Sequence, residues 1–367
     1  MVSAEDLEIL RKEIDKVDDR ILELLNERGR FALEISRLKK KNSSSVYDPV
    51  REREIERQIR KRNTGPLSDV SVISVFREII SSCRALQESI KVSYLGPEGS
   101  HSHQATFHEF GSATELVPFL SFEEVIEEVQ SQRSTFGIVP VENSMEGSVG
   151  SVLDMLSRSD VRISSEHFEK ISHCLLSRTG DIRDIRILAS HPQALAQCKK
   201  WLSKHLGNVE LRETASTAQA AKLASRNKRI GAVAGEFASS IYKLKVVEKN
   251  IEDSVQNTTR FWVIGNVSCP PTGDDKTSIV FSLKDEPGAL QNSLFLPFAE
   301  AKINLTKIES RPSKERPWEY IFFVDFIGHS DDKKIQKVLS RVKKRCINLK
   351  VLGSYPRGRE ISAFPLR

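Results

Sequence analysis

The amino-acid sequence predicts a multidomain protein with an all-helical first segment, an α/β middle segment and a βαββαβ last segment. At 367 residues, the chain exceeds one ordinary domain of about 100 to 200 residues. Near Lys91 the apolar spacing changes from a helical period to short β-rich runs that alternate with helices. A linker rich in proline and glycine, residues 269–275, precedes the last segment.

Composition narrows the class of protein. Hydrophobic residues make up 39% of the chain and charged residues 29%, as in globular proteins. No apolar run approaches the roughly 20 residues that span a bilayer, and the acidic N-terminus lacks a signal-peptide pattern. The five cysteines are dispersed without a Cys-x-x-Cys motif, which argues against a disulfide framework or a thiolate zinc site. We therefore expect a cytoplasmic protein with reduced thiols and no membrane contact.

The net charge of +6 suits an anionic partner. The most basic stretch, residues 51–62, is interleaved with glutamates and contains no aromatic residue, so nucleic acid is not expected as a partner. Small anionic ligands and a solvated helix face remain as alternatives for this stretch.

The first segment is expected to contain three helices. Its first helix, of about 35 residues, has apolar residues alternately three and four positions apart. Residues 42–45 end it, and Asp48-Pro49 and Leu67-Ser68 begin the next two. A helix about 50 Å long in so short a segment cannot enclose a core alone, so dimerisation through it is expected. The seam comprises Leu7, Leu10, Ile14, Val17, Ile21, Leu24, Arg28, Phe31, Ile35 and Leu38.

The later segments are read from short apolar runs. Middle-segment strands are expected near residues 92–95, 136–141, 186–189, 230–234 and 261–264, with helices near 122–130, 193–202 and 217–224. Polar loops at strand ends, residues 96–100 and 190–193, are the expected ligand site. The last segment has the split βαβ order over residues 277–283, 289–300, 303–310, 319–326, 333–343 and 349–355.

Arg28 interrupts the apolar seam, where a charge is costly unless an anion balances it. Lys39 lies about 16 Å further along the same helix, so the two side chains can converge on one small dianion. Arg11 lies about 25 Å before Arg28 and must come from another chain if it joins that pocket. A structural ion pair or a snorkelling arginine is the alternative.

Residues 5–90 resemble the all-helical chorismate mutase domain of bifunctional chorismate mutase/prephenate dehydratases. In that family the domain is an intertwined dimer that binds chorismate, a small dicarboxylate. The matching positions, in type and spacing, are Leu10-Arg11, Asn26-Glu27-Arg28, Lys39, Asp48, Arg51-Glu52 and Gln87.

The resemblance implies a role for each charged position. Arg28 and the Arg11 of a second chain would hold the carboxylates, and Lys39 and Gln87 would hydrogen-bond the ether oxygen. A pericyclic rearrangement needs only capture of the reactive conformer and stabilisation of charge on that oxygen.

Four further residues complete the implied mutase pocket. Glu52 and Asp48 would receive the hydroxyl or order the cations, and Arg51 would bind substrate. Cys83 stands where many relatives carry serine or alanine, and it too is assigned to the substrate pocket.

The middle segment resembles prephenate dehydratase over residues 91–267. The family's fold is two α/β lobes with the active site in the cleft, as in periplasmic binding proteins. Five motifs carry the resemblance in order: Tyr94-Leu95-Gly96-Pro97-Glu98-Gly99, Val139-Pro140-Val141-Glu142-Asn143-Ser144, Ser190-His191-Pro192-Gln193 with Gln197-Cys198, Ala215-Ser216-Thr217-Ala218, and Asn257-Thr258-Thr259-Arg260-Phe261.

The resemblance implies that Thr259 assists the hydroxyl that leaves prephenate. Arg260 would bind a carboxylate or act as a structural partner. Helix capping or turn formation is the alternative role for the small polar residues. The residues implied to line the pocket are Glu142, Asn143, Ser190 and Gln197.

The first dehydratase loop departs from the family pattern. His101 replaces an aromatic ring that relatives usually carry. No cysteine or nearby carboxylate cluster completes a ligand set for His101, His103 and His108, so no metal is expected and the histidines are read as loop residues.

Residues 276–356 resemble an ACT regulatory domain. Two motifs form the phenylalanine site in this family, Gly288-Ala289-Leu290 and Glu309-Ser310-Arg311-Pro312, and Trp318-Glu319 accompanies them. Helix-start packing and a surface charge are the alternatives for Gly288-Ala289-Leu290 and Arg311.

Together these features predict a cofactor-free bifunctional enzyme that converts chorismate to prephenate and then to phenylpyruvate and is inhibited by L-phenylalanine. The expected domains are residues 1–90, 91–268 and 276–356, in a homodimer or higher homo-oligomer. Two alternatives remain: a monofunctional dehydratase with a dimerising helical domain, and a non-catalytic amino-acid sensor. The charged residues on the helices disfavour the first, because dimerisation alone favours apolar residues there.

Overall fold

The computed structural model describes residues 4–41, 46–254, 256–284, 286–313 and 319–358. The expected helix break at 42–45 and Trp318 lie outside these ranges. The chain divides into two compact units: the first contains residues 1–48, 54–90 and 110–115, and the second contains the rest. Among the described residues, no helix combines the length and apolar character that a membrane crossing requires.

The N-terminal segment forms three helices, as predicted. They are α1 (Ala4–Lys41), α2 (Pro49–Arg62) and α3 (Asp69–Ala85). Ser68 caps α3, because its hydroxyl accepts a hydrogen bond from the amide of Ser71 at 3.2 Å. Gln87 lies two residues beyond Ala85, the last residue of α3.

The apolar seam of α1 is exposed in the single chain. Leu10 is 59% exposed, Ile14 58% and Leu24 59%. The residues that α1 buries are instead small ones on another stripe, Ala32 and Ser36 among them. A 38-residue helix, about 57 Å long, thus presents most of its large apolar side chains to solvent.

Arg84 is a buried charge that the apolar pattern of α3 did not predict. Its guanidinium donates to the carbonyl oxygen of Phe110 and lies 5.4 Å from the ring centroid of Tyr47 and 5.5 Å from that of Phe110. These cation–π contacts offset part of the desolvation cost.

The second unit contains three sheets. The first has strand order β2-β1-β3-β11-β5, with β4 paired to β3, and the second has order β10-β6-β9-β7-β8. Their strands are β1 (Lys91–Leu95), β2 (Glu115–Phe119), β3 (Phe136–Asn143), β4 (Gly147–Ser148), β5 (Arg162–Lys170), β6 (Cys174–Ser177), β7 (Ile187–Ser190), β8 (Glu210–Glu213), β9 (Ile230–Ala234), β10 (Lys245–Glu248) and β11 (Thr258–Gly265).

Helices cover these two sheets. They are α4 (His101–Phe110), α5 (Phe122–Gln130), α6 (Gly150–Arg158), α7 (Pro192–Gln197), α8 (Lys199–Leu206), α9 (Thr217–Arg226) and α10 (Glu236–Tyr242), with a 3-10 turn at Ile182–Asp184. The single helix predicted over residues 193–202 is wrong, because the backbone leaves helical geometry at Cys198 (φ −109°, ψ 12°).

The antiparallel pairing of β11 with both β3 and β5 fixes the position of Thr259. Thr259 lies opposite Asn143 on β3 and opposite Glu169 on β5. Strand β5 was not predicted, because its residues, Arg-Ile-Ser-Ser-Glu-His-Phe-Glu-Lys, are too polar to indicate a buried strand.

The third sheet has the predicted order of elements. Its strands are β12 (Asp275–Leu283), β13 (Leu305–Pro312), β14 (Tyr320–Ile327) and β15 (Cys346–Pro356), in sheet order β13-β14-β12-β15, with helices α11 (Leu296–Glu300) and α12 (Lys333–Lys343). The helix predicted at 289–300 is interrupted by a π-helical turn over Gln291–Phe295. Pro297, which lacks an amide hydrogen, lies at the start of the α-helical part.

The third sheet buries both faces. One face packs against α11 and α12 through a core that includes Phe281, Phe298 and Val338. The other face packs on the first sheet, where Phe323 and Tyr355 share a core with Trp262. This second contact brings residues of the last segment to the strands that carry Glu142 and Thr259.

Candidate active site and comparison with known proteins

Thr259 lies in a chain of polar side chains at the ends of β3 and β11. The amide nitrogen of Asn143 donates to Oγ1 of Thr259 at 2.9 Å and to Oδ1 of Asn257 at 2.7 Å. Oδ1 of Asn143 accepts from the backbone amides of Met145 and Glu146. The turn after β3 therefore fixes which face of Asn143 meets Thr259.

This chain of polar side chains continues from the first sheet to the second. Asn257 donates to Oε1 of Gln197 at 3.3 Å, and that oxygen lies 2.9 Å from Nε2 of His173. Gln197 belongs to α7, whereas Thr259 belongs to β11, so the hydrogen bonds connect the two α/β layers. At the exposed side of the same region, Glu146 accepts hydrogen bonds from the side-chain amides of Gln193 and Gln197.

Two histidines face each other beside this chain of polar side chains. The rings of His101 and His173 are 5.8 Å apart at 68°. Within the described ranges, Nε2 of His101 and Nδ1 of His173 are buried and lack a hydrogen-bond partner. Burial, and then the proximity of His173, lowers the pKa of His101 to about 4. Burial also lowers the pKa of His173, so both imidazoles are neutral near pH 7.

The other predicted dehydratase residues differ in accessibility. Ser190 is fully buried, and its hydroxyl donates to the carbonyl oxygen of Val233 at 2.6 Å. Glu142 is 38% exposed and lies 3.1 Å from the ammonium of Lys307 and 3.6 Å from Arg260. The carboxylate of Glu142 is thus accessible to solvent and lies near two cations. The Ser190 hydroxyl, in contrast, is hydrogen-bonded to a backbone carbonyl oxygen.

Arg260 is buried in a network of anionic and hydroxyl groups. Its guanidinium donates to Glu166 at 2.7 Å, to Asp325 at 2.6 Å and to the hydroxyl of Tyr355 at 3.1 Å. Burial opposes its charge, but Asp325 and the other neighbours raise the pKa of Arg260 well above its usual value. These contacts favour the structural alternative for Arg260 over substrate binding.

The predicted mutase residues lie on all three helices. Arg11 is 73% exposed and lies 3.8 Å from Glu8, Arg28 is half-buried, and Lys39 donates to the carbonyl oxygen of Val46 at 3.4 Å. Asp48 immediately precedes α2, and Arg51 and Glu52 lie in its first turn.

Gln87 is brought to the face of α1 that carries Lys39. The Ser36 hydroxyl donates to the carbonyl oxygen of Gln87 at 3.4 Å, and Lys39 follows Ser36 by three residues, which places it on the same helix face. The amide nitrogen of Gln87 donates to the carbonyl oxygen of buried Cys83 at 3.3 Å. In the described part of the chain, Oε1 of Gln87 is buried without a partner.

Side chains of the second predicted effector motif alternate between the two faces of strand β13. Glu309 accepts from the hydroxyl of Ser148 at 3.0 Å, and Arg311 binds Asp154 at 2.7 Å. Ser310 and Pro312 are exposed between and beyond them. Glu309 and Arg311 thus point towards the dehydratase segment.

The first predicted effector motif begins the helix after β12. Gly288 has φ +78°, a conformation that favours glycine, and its carbonyl oxygen accepts from the amide of Asn292 at 2.9 Å. Ala289 and Leu290 pack against the core of the third sheet.

Several residues of the site were missed in the sequence. Asn257 stands in the same motif as Thr259, so that motif was a signal for it. His173, Asp154 and Lys307 had no signal, because each meets its partner only through the packing of separate elements.

Family models match the chain in three consecutive parts. Residues 10–88 match chorismate mutase type II, residues 92–268 match prephenate dehydratase, and residues 277–344 match the ACT domain. The order and positions of these matches follow the three segments read from the sequence.

Relatives cover almost the whole chain. A bifunctional chorismate mutase/prephenate dehydratase from Aquifex aeolicus is 45% identical over 96% of this chain and 98% of its own length. The enzyme of that name from Pseudomonas aeruginosa is 42% identical, over 97% and 99%. A solved prephenate dehydratase from Arthrobacter aurescens, in complex with L-Phe, has a TM-score of 0.67 at 30% identity and covers 73% of this chain and 90% of its own.

These matches cover both predicted catalytic segments and the last sheet, and they favour a bifunctional enzyme over a monofunctional or non-catalytic protein. The chain belongs to the bifunctional chorismate mutase/prephenate dehydratase family, whose members rearrange chorismate to prephenate and convert prephenate to phenylpyruvate, and it carries an ACT regulatory domain.

Proposed function

We propose that Thr259 is the residue that assists departure of the ring hydroxyl of prephenate. The observation that supports it is the hydrogen bond in which Thr259 Oγ1 accepts from Asn143. A hydroxyl that accepts this bond directs its own hydrogen elsewhere. Donation to the leaving oxygen strengthens as negative charge develops there, which is the requirement for lowering the barrier.

The surrounding polar chain orients the substrate in this proposal. Asn143 and Gln197 hold their amides in fixed orientations, and Glu142 places a carboxylate at the accessible side. Ser190 supports the loop through its backbone bond, and Arg260 acts as a structural partner. Two α/β layers joined by these bonds suit a bilobal fold of the periplasmic-binding-protein type with the site in the cleft.

The mutase site is proposed to contain residues of two chains. Arg28, Lys39 and Gln87 come from one chain, and Arg11 comes from the second. Glu52 and Asp48 receive the hydroxyl or order the cations, while Arg51 and Cys83 contribute to the substrate pocket. The exposed seam of α1 supports a homodimer or higher homo-oligomer, because a second α1 would cover the apolar side chains that the single chain leaves in solvent.

The ACT domain, with a ferredoxin-like arrangement, is proposed to bind L-phenylalanine and to restrain the dehydratase. The Arthrobacter relative was solved with L-Phe. In this chain the Glu309 to Pro312 motif lies against Ser148 and Asp154. An effector that bound there would act on a contact with the dehydratase segment. A cytoplasmic location and the absence of a cofactor stay predictions.

The function is tested by incubating the purified chain with chorismate and following prephenate and phenylpyruvate separately. Both products should form without an added cofactor, and L-phenylalanine should slow only the second step. Formation of prephenate alone would contradict the proposed Thr259 site.

A further inference from the structure

A cluster of histidine and glutamate side chains lies between α4 and β5, and its Glu169 lies opposite Thr259 on the neighbouring strand. Alternation along β5 points Ser165, His167 and Glu169 to α4, whereas Glu166 faces the third sheet. Within the described part of the chain, His108, His167 and Glu169 form a group whose donor atoms all lie within 4.8 Å of one another.

The two histidine nitrogens are both hydrogen-bonded to one oxygen of Glu169. Oε2 of Glu169 lies 2.9 Å from Nδ1 of His108 and 2.9 Å from Nε2 of His167. Two imidazoles and one carboxylate are a donor set that zinc accepts, with a fourth position left for water. The side chain of His108 is 35% exposed and that of Glu169 only 5%, so the group opens to solvent on the side of His108.

The atoms that face away from this point are held by further hydrogen bonds. Nδ1 of His167 lies 3.0 Å from Glu109, whose other oxygen accepts from Ser165 at 3.1 Å. Gln104 donates to Oε1 of Glu169 at 2.8 Å. A carboxylate on the far nitrogen of a histidine is the usual outer partner of a metal-bound imidazole, since it fixes the tautomer and orientation.

We propose that His108, His167 and Glu169 bind one Zn²⁺ ion per chain, with Glu109 and Gln104 as their outer partners. No metal was expected from the sequence, because the histidines near His108 along the chain have no carboxylate cluster beside them. The carboxylate comes from β5, 61 residues further along the chain. Only the packing of α4 on β5 brings them together.

Protons compete with the metal at this site. Hydrogen bonds and charge from Glu109 and Glu169 outweigh burial and raise the pKa of His167 to about 9. Zinc must therefore displace a proton, as is general for histidine ligands. Binding is best measured somewhat above neutral pH, where this competition is weaker.

The test is calorimetric titration of the EDTA-treated full-length protein with ZnCl₂, together with the visible absorption of Co²⁺ as a spectroscopic probe. One site per chain is expected, with the Co²⁺ bands of a low-coordinate nitrogen and oxygen site. His108→Ala removes a partly exposed ligand, so the protein should fold and lose binding. Glu109→Gln keeps all three ligands and should weaken binding roughly ten- to hundredfold.

Two control variants separate this site from other zinc ligands. His205→Ala removes an exposed histidine on α8 and should leave binding unchanged. Cys346→Ser removes a partly exposed free thiol. Loss of binding in Cys346→Ser with retention in His108→Ala would overturn the proposal, as would failure of the unmodified protein to bind zinc at all.

Discussion

Thr259 is the residue on which the dehydratase step should depend most. Removing one donor to a developing charge typically lowers kcat about 10²- to 10³-fold. Thr259→Ala should therefore lose most prephenate turnover with a smaller change in KM, and Thr259→Ser should keep a substantial part because the hydroxyl remains. Mutase activity on chorismate serves as the internal control. Near wild-type turnover in Thr259→Ala would leave Glu142 as the next candidate.

His101 should make the stability of the protein depend on pH. Its pKa is about 4 in the folded chain and about 6.5 when unfolded, so protonation favours the unfolded state. Stability is fully present above about pH 6.5 and falls as the pH drops towards 4, by about 3 kcal/mol at most. His101→Phe, which keeps an aromatic ring at this position, should remove the contribution of His101, while His173, whose pKa burial also lowers, keeps its own.

Urea unfolding of His101→Phe and wild type between pH 4 and pH 7 measures the effect. The variant should also gain about 1 to 3 kcal/mol at neutral pH, because it removes a buried nitrogen without a partner. His205→Phe changes an exposed histidine and should leave the pH dependence as it is. If the stabilities of His101→Phe and wild type changed with pH in parallel, burial of His101 would not be a source of the pH dependence.

At the scale of elements, helix α1 should build each mutase site from two chains. Arg28→Ala and Arg11→Ala should each abolish mutase activity and leave turnover of supplied prephenate intact. Mixing the two inactive variants and allowing subunits to exchange should recover part of the mutase activity, because mixed dimers contain one intact pocket. Absence of recovery after exchange has been verified by mass spectrometry would argue for a site within one chain.

The turn that begins the helix after β12 should control the response to phenylalanine. Gly288→Ala places a Cβ at φ +78°, 3.3 Å from the side-chain nitrogen Nδ2 of Asn292, at a cost of about 1 to 2 kcal/mol. We expect weaker inhibition of the dehydratase by L-phenylalanine, with unchanged kcat and KM in its absence. Gly273→Ala is the matched control, since Gly273 has φ +87° and no neighbour within 4 Å. Equal loss of inhibition in both variants would show a general effect of strain.

At the scale of the whole molecule, the ACT domain supplies part of the dehydratase framework. Asp325 binds Arg260, the residue next to Thr259, and Ser278 holds Asp325 at 2.6 Å. Breaking a buried pair by removing one charge costs about 3 to 5 kcal/mol. Asp325→Asn should therefore destabilise the protein to urea and lower dehydratase turnover, while the mutase keeps its activity.

An exposed ion pair of the same domain provides the comparison for Asp325. Asp274 is 76% exposed and lies 3.3 Å from Arg357, and exposed pairs contribute about 0 to 1 kcal/mol. Asp274→Asn should leave both stability and turnover near wild type. Equal behaviour of the two variants would mean that Arg260 does not need its partner on the third sheet.

The sequence by itself determined the three-segment organisation and the long helix, and it predicted Thr259 as a site residue. Local sequence patterns indicate these features: a seam with a helical period, a linker, and motifs whose residues are close along the chain. The same patterns failed for β5, which is too polar to read as a buried strand, and for the helix predicted over residues 289–300, which a π-helical turn interrupts.

Only the tertiary structure decided which partners these residues meet. Arg260 is held by Asp325 and Tyr355 of the last segment, and His108 meets Glu169 on a distant strand. Such contacts join side chains that are 61 to 95 residues apart. They follow from how sheets and helices pack, because packing, not local spacing, decides which buried charges find a counter-charge.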